Sequence, residues 1–175
     1  MLDAAGLIEK HRAKGVLVDT NLLVLFLVGT VNRQRILNFK RTGDFTIEDY
    51  DLLVRLIDWF GQLIATPHVL SQVSDLADLT GNELTEIREL FKVLVENIEE
   101  SYDTSRLIVG DPAFRRLGLT DAAIATVCSR GILVLTGDAQ LHAALQARTI
   151  DALNFNHIRP LEWQKPKASI CDSPR

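Results

Sequence analysis

Cysteine is scarce, with only Cys128 and Cys171 in 175 residues. Their separation and context suit neither a disulfide framework nor a zinc site, and Cys128, set among Ala, Ile and Val, reads as a buried thiol. Histidine is no richer. His11, His68, His142 and His157 show none of the paired spacings that recruit transition metals, so each reads as a surface or structural residue. Long apolar runs are missing too. The longest, Leu22 to Val28, falls far short of the roughly 18 residues that span a membrane. Residues 1–15, MLDAAGLIEKHRAKG, form an amphipathic helical pattern without the apolar stretch of a secretion signal, so a cytoplasmic location and no membrane partner are expected. Excess positive charge is also absent. A net charge of −4 excludes a protein that grips nucleic acid by bulk electrostatics, and any such partner must be held locally.

What remains is ordinary globular material, 47% hydrophobic and 24% charged, in a length that suits one domain with a full core. After the first helix, GVLV at 15–18 is a β-branched apolar run ended by Asp19, as in a buried parallel strand. Leu22 to Val28 continues as a buried helix ended by Gly29, followed by a basic segment with Arg33, Arg35, Lys40 and Arg41. Thr46 and Asp49 have capping-box spacing ahead of a helix that runs to Gly61. QLIAT at 62–66 reads as a strand, and Pro67 opens a helix reaching about Leu79. A longer amphipathic helix covers Asn82 to about Glu100, with a brief strand at Ser101 to Asp103. Residues 118–131 read as a capped helix rich in small side chains, GILVLTGDAQL as strand, turn and helix, and Ile150 to Asn154 as the last strand. Strands separated by helices predict a three-layer α/β/α fold with a mostly parallel sheet, whose functional sites gather at strand carboxyl ends.

Asp19, Asp121 and Asp138 each fall at the start of a helix, and two of them directly follow a strand. Capping and the helix dipole explain any one of them alone. Three on one rim are different, because mutual repulsion disfavours the cluster unless cations compensate, and all-oxygen ligands suit Mg²⁺ or Mn²⁺.

VDTNLL at 18–23, TPHVLSQVSDL at 66–76, LTDAAIA at 119–125 and LTGDAQL at 135–141 resemble the ordered motifs of PIN-domain nucleases, and NFNHIRPL at 154–161 resembles that family's final strand. The resemblance, which spans roughly residues 15–161, implies a single PIN-like domain over residues 1–162, and the Pro and polar content beyond it reads as a loosely ordered tail at 163–175. The resemblance further implies a Mg²⁺- or Mn²⁺-dependent endoribonuclease with Asp19, Asp121 and Asp138 as metal ligands, Asn21 supporting Asp19, and Thr136 lining the site. Many compact bacterial relatives are toxins neutralised by a small antitoxin, and relatives often form homodimers. Arg33, Arg35, Lys40, Arg41, Arg115 and Arg116 are candidates for flanking phosphate contacts.

One position departs from the family. A glutamate is usual where Gln72 stands. At roughly 100° per residue, Val69, Leu70, Val73, Leu76 and Ala77 define the buried face and leave Gln72 on its flank, within reach of a cleft, whereas Asp75 lies nearly opposite. A neutral amide supplies no charge, so weaker metal affinity or a missing second ion is expected. The alternative reading is a catalytically impaired PIN-like module that binds RNA or protein. A phosphotransfer domain of another α/β family fits poorly, because it wants a second acid two residues after Asp19, where Asn21 stands.

Overall fold

The computed structural model describes residues 3–159. The expected domain end at 162, the tail from 163 and the last two residues of NFNHIRPL lie outside the described residues. Among the described residues, five strands form an all-parallel sheet: β1 (Val16–Val18), β2 (Leu63–Ala65), β3 (Glu99–Glu100), β4 (Leu133–Thr136) and β5 (Ala152–Asn154), in the order β3-β2-β1-β4-β5. The fold is three-layer α/β/α. The central strands are wholly buried, which is why they read as continuous apolar runs rather than alternating ones.

Helix α1 (Ala4–His11) leads into β1, where Gly15 adopts a φ of +92° and lies so close to Gln62 that a Cβ would meet its carbonyl oxygen at 2.5 Å. Helix α2 (Thr20–Val31) then runs through the core, apolar on nearly every side. It passes through Gly29 instead of ending there, because Gly29 is a packing residue: a Cβ would sit 2.3 Å from the Tyr50 ring. A 3-10 turn (Arg33–Leu37) precedes α3 (Ile47–Trp59), whose capping box is complete. Asp49 N donates to Thr46 Oγ1 at 3.2 Å and Thr46 N donates to Asp49 Oδ2 at 2.8 Å.

Pro67 is the first residue of α4 (Pro67–Leu76), with Thr66 as its cap. Helix α5 (Asn82–Asn97) ends earlier than its apolar pattern suggests, and the brief strand falls on Glu99–Glu100 rather than on residues 101–103. Two short helices, α6 (Ser105–Gly110) and α7 (Phe114–Leu117), pack on α8 (Leu119–Cys128), and Ala122, Ala123 and Ala125 let α8 approach closely. Helix α9 (Ala139–Ala147) returns to β5, and α10 (Phe155–Ile158) follows it. Cys128 is buried, and its thiol is pushed up to about 12 by that burial. No helix among the described residues is long and apolar enough to cross a membrane.

Candidate functional site

The sheet grows from β1 in both directions, to β2 and β3 on one side and to β4 and β5 on the other. The point where the order reverses lies between β1 and β4, where a parallel sheet opens a crevice at its carboxyl edge. Asp19 follows β1, Asp138 follows β4, and the two strands are in register with Val18 opposite Leu135. The Asp19 N–H extends the ladder by donating to the Leu135 carbonyl at 2.9 Å.

Asp19 is only 4% exposed. Its Oδ1 accepts from the Thr20 N–H at 2.6 Å, and its Oδ2 accepts from Thr136 Oγ1 at 2.7 Å. The fully buried Thr136 hydroxyl also accepts from the Asp138 N–H at 2.9 Å, so one side chain ties both acidic positions together. Asp138 caps α9, with Oδ1 accepting from Gln140 N at 2.6 Å and Leu141 N at 2.9 Å. Asp121 is not a cap. It is the third residue of α8, whose N-terminus is at Gly118 with a φ of +81°, and no hydrogen bond reaches its carboxylate among the described residues.

Charge records how near the three are. Burial pushes the Asp121 carboxyl up to about 7, and the negative charges of Asp19 and Asp138 add to the shift. Asp19 is also raised, chiefly by burial, against the lowering influence of the Thr136 and Thr20 bonds, with Asp138 again raising it. Yet no three His, Cys, Asp or Glu side chains among the described residues are grouped as ligands for one ion. Asp19 and Asp138 are held by their own helices and by Thr136, and Asp121 faces them from α8 without a bond to either. As a donor set, hard anionic oxygens carried by three separate elements fit Mg²⁺ or Mn²⁺, and the Asp121 carboxylate is left without a protein partner to satisfy it.

The supporting residues are placed unequally. Gln72 reaches the site's edge, its Oε1 accepting from Thr20 Oγ1 at 2.7 Å. Asn21 is exposed and makes no side-chain hydrogen bond to Asp19; Thr136 and the Thr20 backbone do that work. Arg33 pairs with Asp51 at 2.7 Å and covers the Tyr50 ring, and Arg35 pairs with Glu83 at 2.6 Å, so both are occupied within the fold. Lys40, Arg41, Arg115 and Arg116 are exposed and enter no ion pair among the described residues. Arg116 lines a separate cleft of about 380 Å³ with Asp111, Leu117 and Arg148.

Sequence reasoning missed Thr20 and Arg159. Thr20 is 3% exposed and connects Asp19 to Gln72; its signal was its place inside VDTN, directly after the acid. Arg159 is 6% exposed and paired with Asp49 at 3.1 Å, a partnership across 110 residues that no local pattern reveals. No known family model matches the chain, and no curated protein does either.

Proposed function

We propose that the chain is a divalent-metal-dependent endoribonuclease of the PIN type, with Asp19, Asp121 and Asp138 as the residues that hold Mg²⁺ or Mn²⁺. The observation that carries this reading is the placement of Asp19 and Asp138, tied through Thr136 at the switch point of a parallel sheet, with Asp121, unpartnered among the described residues, near enough for their charges to raise its carboxyl. A fold that keeps uncompensated like charges together is prepared for a cation that the protein itself does not provide. The ordered motifs around Asp19, Gln72, Asp121 and Asp138 supply the choice of reaction class, and a small antitoxin partner belongs to the same proposal.

When bound, the ion supplies a nucleophilic water and neutralises charge developing on the phosphodiester. The protein's part is to fix donors. Thr136 holds Asp19 Oδ2 and the Asp138 backbone in one arrangement, the α9 N–H groups orient the Asp138 carboxylate, and the buried apolar strands beneath exclude water from below. No protein nucleophile is required, and the exposed cations Lys40, Arg41, Arg115 and Arg116 are the candidates for flanking phosphates.

The test is RNA cleavage by purified protein with added Mn²⁺. Cleavage is expected, and Asp19→Asn or Asp121→Asn should reduce it by about a hundred- to a thousandfold, the scale of losing one electrostatic stabilising group. Full activity in either variant would sink the assignment.

A second reading has its own observation. Gln72 brings a neutral amide where a fourth carboxylate is usual, and its oxygen is already engaged by Thr20. This favours a module that binds RNA or protein with little catalysis. Gln72→Glu separates the two by calorimetric Mn²⁺ titration: a nuclease site one carboxylate short gains affinity, whereas a binding module stays metal-free.

A further inference from the structure

The loop at residues 38–46, between the 3-10 turn and α3, carries Lys40 and Arg41, both exposed and without an ion pair among the described residues. Such loops are ordinarily mobile, yet this one is fastened at both ends. Thr42 is fully buried and its hydroxyl donates to the Ile36 carbonyl at 2.9 Å. Phe45 is buried edge-on against Phe155, with ring centroids 6.2 Å apart, and its ring abuts the β4–α9 turn, where a Cβ on Gly137 would lie 4.0 Å from Phe45 Cζ. Gly137 stands between Thr136 and Asp138, so the loop leans on the segment that carries two of the site's residues.

One buried guanidinium holds this arrangement. Arg159 Nη2 donates to the Asp44 carbonyl at 3.2 Å and pairs with Asp49 Oδ2 at 3.1 Å. Its Nη1 donates to Asn156 Oδ1 at 3.2 Å, and the Asn156 amide donates to the Gly137 carbonyl at 2.8 Å. The guanidinium carbon lies 5.6 Å from the centre of the Phe45 ring. Burial of a charge pair is expensive, and here it is not even saturated, since Asp49 Oδ1 and Arg159 Nε are buried without partners. A well-packed apolar pair would hold a loop more cheaply; what a planar fork adds is simultaneous, directional attachment to a loop carbonyl, to Asp49 of the capping box and to Asn156, which in turn bonds the turn beside Asp138.

We propose that Arg159 is a positioning residue that locks the 38–46 loop against the β4–α9 turn, so that Lys40 and Arg41 meet the backbone of the same RNA strand that the three carboxylates address. This rests on the nuclease reading above and selects Lys40 and Arg41 as the candidate cations whose loop is fastened to the β4–α9 turn, whereas the exposed Arg33 and Arg35 are paired with Asp51 and Glu83 and Arg115 and Arg116 sit on α7.

The experiment uses the full chain and a short fluorescein-labelled RNA, with binding followed by anisotropy over a range of salt and cleavage followed with Mn²⁺. The double variant Lys40→Ala with Arg41→Ala should bind roughly tenfold more weakly and lower the slope of log K against log salt by about 1.4, the value for two phosphate contacts on a single strand. Arg159→Lys keeps the charge but cannot span three partners. It should raise KM about fivefold at unchanged kcat per folded molecule and lower the salt slope by less than the double variant does, a pattern that simple loss of folded protein does not produce. If Arg159→Lys does not fold, Phe45→Leu weakens the same attachment and should give the same pattern. RNA binding by the wild type that is unaltered in the double variant, or a KM unmoved in the Arg159 and Phe45 variants, overturns this inference alone. A wild type that binds no RNA overturns the nuclease reading and this inference with it.

Discussion

Asp121 differs from its two neighbours in being tied to nothing. Asp19 and Asp138 accept hydrogen bonds from Thr20, Thr136, Gln140 and Leu141, whereas Asp121 meets burial and two like charges with no hydrogen bond among the described residues to offset them. Between the ordinary value of 3.8 and about 7, the folded chain therefore keeps a proton that the unfolded chain has released. Stability contributed by this residue falls as pH rises through that window and is level above it. Asp121→Asn removes the effect, so its melting temperature should exceed that of the wild type at pH 8, with the gap shrinking as pH falls towards 4; a gap independent of pH would contradict the assignment. Proton and cation also compete for this carboxylate, so Mn²⁺ affinity should weaken below pH 7. The acid was legible from the sequence, but its environment was not. An aspartate near the start of an apolar helix advertises a cap, and in the sequence Asp121 looks like the two true caps although it stands inside the first turn of α8. Asn21 misled in the opposite direction: it is next in line after a key threonine, yet α2 turns it outward to solvent.

At the level of the helix, periodicity was a sound guide wherever a face had to be buried. Thr46 and Asp49 announced α3, and Pro67 announced α4, because capping chemistry is local and acts within four residues. Glycine was a poorer guide. Gly29 resembles a stop signal, but its lack of a side chain serves the crossing of α2 with α3, where the Tyr50 ring lies flush against the backbone. Gly29→Ala tests this. Helix propensity alone predicts a gain of about 1 kcal/mol. Overpacking at a 2.3 Å approach should override it and give a net loss of about 1–3 kcal/mol in urea unfolding. A stabilised variant would mean that Tyr50 can move aside freely. The misplacement of β3 has a related cause. Glu99 and Glu100 are exposed and acidic, and nothing in their composition signals a strand; their pairing with Ile64 and Ala65 is imposed by the neighbouring strand.

The molecule as a whole gathers its site from distant parts of the chain. The carboxylates come from residues 19, 121 and 138, on α2, α8 and α9, so a cation shared among them would bind the folded state and not the unfolded one. At a hundred times its dissociation constant, such an ion adds about 2.7 kcal/mol. For a chain of this size that corresponds to a rise in melting temperature of roughly 5–10 °C. Calorimetry with and without Mn²⁺ should show this rise in the wild type and none in Asp19→Asn; an unchanged wild type would remove the metal from the account. The alternation of strand and helix made the parallel sheet foreseeable, and with it the rim where the acids lie. What could not be foreseen was every link that jumps between elements, such as Thr20 to Gln72 or Arg159 to Asp49, because such partners are chosen by the packing and carry no signature in either segment.

The hydrogen bonds at the starts of α2 and α9 have one more consequence, for how this protein can be interrogated. At positions 19 and 138 a single carboxylate oxygen serves the helix while the charge belongs to the group as a whole. Asparagine caps a helix about as well as aspartate does. An amide at either position thus keeps a capping oxygen while deleting the charge, and at position 19 its two groups must divide between the Thr20 N–H and the Thr136 hydroxyl, both of which now donate to the carboxylate. Alanine at the same positions would remove cap and charge together, at about 1 kcal/mol for each helix, and confound loss of chemistry with loss of structure.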